Sequence, residues 1–153
     1  MNSSPVYDGR MAYLIKPSVN VFLIKGDKVL LGRRANTGWM DGHLCPPGGH
    51  VEKGETPLQG ALRELQEELG ITVDPEHMEF ICVAARNNQP VEYVAYEFMV
   101  RDKEYDVRNT EPDKCSELVW SELDKLPDDV IGDFRQVIEQ GILGGKKYLE
   151  IGF

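Results

Sequence analysis

Three glutamates, Glu64, Glu67 and Glu68, stand three and four residues apart in the segment RELQEELG that runs from Arg63 to Gly70. On a helix turning about 100° per residue, that spacing sends all three carboxylates to one side, within roughly 60° of their mean direction. Carboxylates this close repel one another unless something neutralises them, and hard divalent cations such as Mg²⁺ take oxygen ligands of this kind. Arg63 lies four residues before Glu67, a spacing that lets its guanidinium hold a carboxylate in place. The plain alternative is a solvated acidic face paired with Arg63 and doing nothing more. The residues around the cluster bear on the choice.

The helix that must carry these groups is marked at both ends. Thr56 is an N-cap, Gln59 completes a capping box, Pro57 suits the first turn and Gly70 supplies the stop, predicting a helix over 57–69. Leu58, Ala61, Leu62, Leu65 and Leu69 form an apolar face about 120° from the carboxylates, so the glutamates are not part of the core stripe. Upstream, Val19–Ile24 and Val29–Leu31 read as two strands joined by a turn at Gly26-Asp27. The stretch 35–50 (ANTGWMDGHLCPPGGH) is crowded with Gly and Pro and reads as a long loop of the functional sort. Downstream, Phe80–Ala85 and Val91–Val100 are strand-like and 101–116 is a polar loop. Glu117–Trp120 is a short strand candidate, and Val130–Gln140 is predicted helical from Val130, Ile131, Phe134, Val137 and Ile138. Residues 1–16 read as an irregular arm with a short strand near Met11–Ile15.

Gly49, five residues, Glu55, seven residues and then Arg63-Glu64-Leu65-Gln66-Glu67-Glu68-Leu69-Gly70-Ile71 satisfy G-x5-E-x7-R-E-U-x-E-E-x-G-U, where U is apolar. At ordinary residue frequencies all nine specified positions match by chance on the order of 10⁻⁸ times per chain. The segment resembles the Nudix box, and the Pro47-Gly48-Gly49 approach, the strands before it and the late amphipathic helix extend the resemblance over the chain. It implies an α/β fold, an α/β/α sandwich around a mixed β-sheet with a loop–helix–loop motif, formed by one domain over 1–153.

The resemblance further implies Mg²⁺-dependent hydrolysis of a nucleoside diphosphate linked to another group, with Mn²⁺ as a substitute metal. By motif position, Glu64, Glu67 and Glu68 would hold the metal, with the Gly48 carbonyl as a further ligand, and Arg63 and Glu55 would brace the loop–helix–loop. Glu64 or Glu67 would take the proton of the attacking water. Glu111, about forty residues beyond the box, is the candidate for an acidic ligand from a later loop, with Asp113 as its competitor. Arg33 aligns with a substrate-contacting arginine of MutT-like members. Arg34, Trp39 and Asp41 join it as candidate substrate contacts at the Gly-rich loop, Trp39 for base stacking. Trp120 is expected in the core.

Lys plus Arg number 17 and Asp plus Glu number 26 in 153 residues, a net charge of -9 that argues against a duplex nucleic-acid partner. No apolar run approaches a membrane span. Cys45, Cys82 and Cys115 are odd in number and scattered, which fits a reducing cytoplasm, and their spacing with His43 and His50 is not that of a zinc site. The partner expected is a small nucleotide; monomer and homodimer stay open. Markers of the ADP-ribose, dinucleoside polyphosphate, coenzyme A and NADH subfamilies are absent or incomplete. The substrate expected by elimination is a (deoxy)nucleoside triphosphate, normal or oxidised. The alternatives are ADP-ribose or a nucleotide sugar, and a nucleotide sensor without catalysis.

Overall fold

The computed structural model describes residues 6–153. A small exposed hairpin, β1 (Val6–Tyr7) and β2 (Arg10–Met11), turns on Asp8 and Gly9, both at positive φ as tight Asp-Gly hairpins require. The strand in the arm therefore lies at Arg10–Met11, and 12–15 are irregular. The main sheet begins with β3 (Lys16–Lys25) and β4 (Lys28–Arg34), joined at Gly26-Asp27, where Gly26 takes φ 61°. The long Gly/Pro loop is not wholly irregular, because it contains β5 (Leu44–Cys45) and β6 (Gly48–His50). Strands this short carry no periodicity of their own. Their structure comes from pairing with β4 and β3, respectively.

After α1 (Pro57–Leu69), β7 (Glu79–Asn88) and β8 (Val91–Arg101) form a hairpin that runs further toward its turn than the apolar pattern indicated. Next come β9 (Cys115–Glu122), α2 (Gly132–Gln136, continued by a π-helical stretch Val137–Leu143) and β10 (Tyr148–Ile151), the last without a counterpart in the sequence reading. The order across the sheet is β10-β7-β8-β3-β4-β5, with β6 also on β3 and β9 on β4. β3–β8 and β10–β7 are parallel and the other pairs antiparallel, so the sheet is mixed.

Alternation along the strands builds two cores. Val19, Val21, Leu23 and Leu30 pack with Ala61, Leu65 and Leu69 of α1 on one face. Phe22, Val29 and Leu31 pack with Phe134, Val137 and Ile138 on the other. The result is the expected α/β/α sandwich. Leu65 is fully buried, so truncation to Ala would cost about 2–5 kcal/mol and loosen α1 from the sheet. Gly60 faces the sheet side of α1, where a Cβ would sit 2.8 Å from Glu55 Oε1, so its lack of a side chain lets the helix and its leading loop close together. Among the described residues no helix is long and apolar enough to cross a membrane.

Candidate active site

The N-terminal signals of α1 are realised as read. Gln59 N–H donates to the Thr56 hydroxyl at 3.2 Å, Thr56 N–H donates to Gln59 Oε1 at 2.8 Å, and Gly70 closes the helix at φ 66°. The helix C-terminus fixes the next element. Arg108 N–H donates to the Leu69 carbonyl at 3.0 Å, Thr110 N–H to that of Glu68 at 3.2 Å, and the Thr110 hydroxyl to that of Glu67. These carbonyls have no partner within the helix, and satisfying them docks the 108–115 loop on α1. That docking brings Glu111 to the glutamates.

Arg63 is the hub of the helix–loop unit. Its Nε and Nη2 grip Glu55 at 3.0 and 2.7 Å, Nη2 also donates to the His50 carbonyl at 3.0 Å, and Nη1 reaches Glu64 at 3.0 Å and Glu67 at 3.2 Å. The two-pronged contact holds the Glu55 carboxyl down to about 2. Glu64 is almost buried against Gly49, where a Cβ would fall inside its carboxylate. Glu68 accepts from Gly48 N–H at 2.9 Å. Burial, reinforced by the charges of Glu64 and Glu111, pushes the Glu68 carboxyl up to about 8, and burial raises that of Glu64.

Glu64, Glu67, Glu68, Glu111 and Gly48 line one cavity of about 760 Å³, together with Arg34 and Trp39. A smaller cavity of about 70 Å³ shares Glu68 and Glu111 and runs under Cys45 and Cys115. Among the described residues no three acidic, His or Cys side chains form a ready-made metal cage. The donor set nonetheless suits a hard divalent cation: the carboxylates of Glu64, Glu67, Glu68 and Glu111 line one space, and burying Glu68 against like charge disfavours its ionised form unless a cation is added.

The two arginines of β4 part company. Arg34 lies in register with Leu30, toward the α1 face. It donates to the Trp39 carbonyl at 2.8 Å and to the Thr37 hydroxyl at 3.0 Å, and its guanidinium sits 4.9 Å from the Trp39 ring centre. Arg33 points the other way, to Glu117 at 2.6 Å, Asp129 at 2.5 Å and the Gly42 carbonyl at 2.7 Å, and it does not line the larger cavity. Asp41 is spent on its own loop, accepting from Thr37 and Gly38. Arg33 and Asp41 both brace the Gly-rich loop, and Arg33 also lines the smaller cavity with Glu68 and Glu111. Trp120 is 42% exposed and lies outside the core, against a shallow pocket with Tyr105.

Sequence reasoning missed several residues of the larger cavity. Ser18, Asn20, Arg86, Tyr93 and Phe134 also line it, with His50 stacked on Tyr93 at 5.9 Å between ring centres. Arg86 grips Asp133 through Nε at 3.0 Å and Nη2 at 2.7 Å while lying 4.9 Å from the Phe134 ring centre. The available signal was a polar residue at a buried strand position, as with Asn20 inside the run VNVFLI and Arg86 at the end of FICVAAR.

Comparison with known proteins agrees with this architecture. The sequence profile of the NUDIX domain matches residues 14–140. An 8-oxo-dGTP diphosphatase of Escherichia coli (strain K12) is 43% identical over 60 residues, 39% of this chain and 45% of that protein. An RNA pyrophosphohydrolase of Francisella tularensis is 40% identical over 85 residues, 55% of this chain and 48% of that one. These matches thus span about half the length of either relative. The crystal structure of a MutT Nudix hydrolase from Burkholderia pseudomallei superposes with a TM-score of 0.75 at 25% identity, over 84% of this chain and 98% of its own. With a family profile covering most of its length and a fold to match, the chain belongs to the Nudix family.

Proposed function

We propose that the chain is a divalent-metal-dependent pyrophosphohydrolase that cleaves a nucleoside triphosphate or deoxynucleoside triphosphate, normal or oxidised, to the monophosphate and pyrophosphate. One observation carries the reading: Glu64, Glu67, Glu68 and Glu111 line the same cavity as aromatic and hydrogen-bonding groups such as Trp39, Tyr93 and Ser18. That combination suits a ligand with a charged diphosphate and a planar, polar remainder.

Glu64, Glu67, Glu68 and Glu111, with the Gly48 carbonyl, would hold Mg²⁺ or Mn²⁺. Such an ion neutralises the phosphates and lowers the pKa of water. Glu67 is the most exposed of the three helix glutamates and shares a single arginine nitrogen, which leaves it able to take the proton of the attacking water; Glu64 is its competitor. Arg63 and Glu55 keep both glutamates in place. Arg34 and Trp39 would meet the nucleotide at the cavity rim, with the Trp39 ring already paired to a cation on one face.

ADP-ribose or a nucleotide sugar is the second reading, favoured by the size of the cavity, about 760 Å³, whose lining includes Tyr93 and Val91. The two separate in a Mg²⁺-dependent assay over normal and 8-oxo (d)NTPs, ADP-ribose, nucleotide sugars, diadenosine polyphosphates and coenzyme A, with products resolved by chromatography. Monophosphate and pyrophosphate from a triphosphate would support the first reading. Turnover of ADP-ribose or a nucleotide sugar alone would overturn the substrate and keep the chemistry. Ligand binding without any turnover would favour a sensor.

A further inference from the structure

Apart from the glutamate cluster, the middle of the sheet holds a carboxyl group where a hydrophobic residue would ordinarily sit. Glu97, in β8, is fully buried. Its Oε1 accepts from Asn20 Nδ2 at 3.1 Å, and its Oε2 has no partner among the described residues. An unsatisfied buried carboxyl oxygen destabilises a fold, and methionine would fill similar space without that penalty. The neighbouring β7 brings Cys82 directly opposite and the attractive charge of Arg86, while Asp133 from α2 opposes it. Arg86 is committed to Asp133, so Glu97 is not neutralised by an ion pair, and burial pushes its carboxyl up to about 7.

What Glu97 does hold is the orientation of one amide. Asn20 and Glu97 are cross-strand partners in the parallel β3–β8 pair. With Oε1 an acceptor, as it is in the carboxylate or in an acid protonated on the unpartnered Oε2, an Asn20 amide turned the other way would set carbonyl against acceptor, so the hydrogen bond selects one of two amide orientations. In the selected one, Asn20 Oδ1 faces Gly48, so closely that a Cβ on Gly48 would stand 2.5 Å from it. Gly48 pairs with Asn20 across β3–β6, and its N–H is the donor that anchors Glu68. A continuous chain of contacts therefore runs Glu97–Asn20–Gly48–Glu68, from the sheet interior to the acidic cluster.

We propose that Glu97 is a positioning residue: through the Asn20 side chain it fixes the Gly48 backbone that orients Glu68, and so sets the affinity of the cluster for a divalent cation. This rests on the metal reading above, and it gives a half-satisfied buried carboxyl a role.

The test is Mn²⁺ binding followed by electron paramagnetic resonance in the wild-type chain and in Glu97→Gln, Glu97→Met, Asn20→Ala and the Asn20→Ala/Glu97→Met double variant. Thermal unfolding of each protein without metal reports on the fold. Glu97→Gln keeps an oxygen acceptor for Asn20 and should bind Mn²⁺ within about twofold of wild type, whereas Glu97→Met and Asn20→Ala should each weaken binding about tenfold, as is typical of groups behind metal ligands. Because one residue acts through the other, the double variant should be no weaker than either single one, where independent effects would multiply to about a hundredfold. If Glu97→Met does not fold, Glu97→Gln and Asn20→Ala still decide. Wild-type Mn²⁺ affinity in Asn20→Ala, or multiplied losses in the double variant, overturns the positioning role alone. Absence of Mn²⁺ binding by the wild-type chain overturns the metal reading beneath it.

Discussion

Gly49 stands so close to Glu64 that any side chain at 49 would occupy the space of the Glu64 carboxylate. The obstructing atoms are the end of a flexible side chain, so the fold can give way but Glu64 cannot stay where it is. Gly49→Ala should therefore change stability by no more than about 1 kcal/mol. Hydrolysis should fall by roughly 10²-fold, the scale of an ångström-sized misplacement. Thermal unfolding and steady-state kinetics on one preparation check both halves.

Arg63→Lys removes the planar fork that grips Glu55 and keeps the charge. Turnover should drop about 10- to 100-fold, as for other groups that orient metal ligands. The variant should also unfold at a higher pH on acidification. The Glu55 carboxyl is held below its ordinary value, so its contribution is complete above about 4.5 and is lost as pH falls toward about 2. Without the fork that contribution shrinks. An acid titration followed by circular dichroism reads the midpoint.

Stability of the metal-free protein should fall as pH rises from about 5 to about 8. Glu68 and Glu97 have raised carboxyls, to about 8 and about 7, so the folded state holds protons the unfolded state has released. The stabilisation is complete below the unfolded value and disappears as pH climbs through the folded ones. Glu68→Gln should flatten the slope, and saturating Mg²⁺ should lift stability mainly at the alkaline end. Melting temperatures across this range, with and without Mg²⁺, test the sign.

Trp39→Ala should raise KM about tenfold or somewhat more, the lower part of the range for losing an aromatic stacking partner, with little change in kcat. Trp39→Phe should recover most of it. A loss confined to kcat would contradict a stacking role.

The parts of the molecule legible in the sequence are those whose signals are local. Helix α1 was readable to the residue because Thr56, Pro57, Gln59 and Gly70 act within one turn of the chain. Strands β5, β6 and β10 were not, because two to four residues acquire strand geometry only by pairing with distant partners. The box placed Glu55, Arg63 and the three glutamates. The different surroundings of Arg33 and Arg34 follow from the face of β4 each occupies, and the alternation that buries Leu30 under α1 and Leu31 under α2 turns Arg34 toward the larger cavity. Arg86, Asn20 and Glu97 belong to the site region through sheet order, which brings β7, β8 and β3 side by side. No spacing along the chain encodes that adjacency.

Whether the carboxylates lining the cavity make a cation-dependent hydrolytic centre is decided by turnover of the best substrate from the panel against Mg²⁺ concentration, in wild type and in Glu67→Gln. We expect no turnover without metal, and a loss of about 10²–10⁴-fold in the variant at saturating Mg²⁺ with an unchanged melting temperature. Full Mg²⁺-dependent activity in Glu67→Gln, or hydrolysis that persists in a chelator, would contradict that assignment.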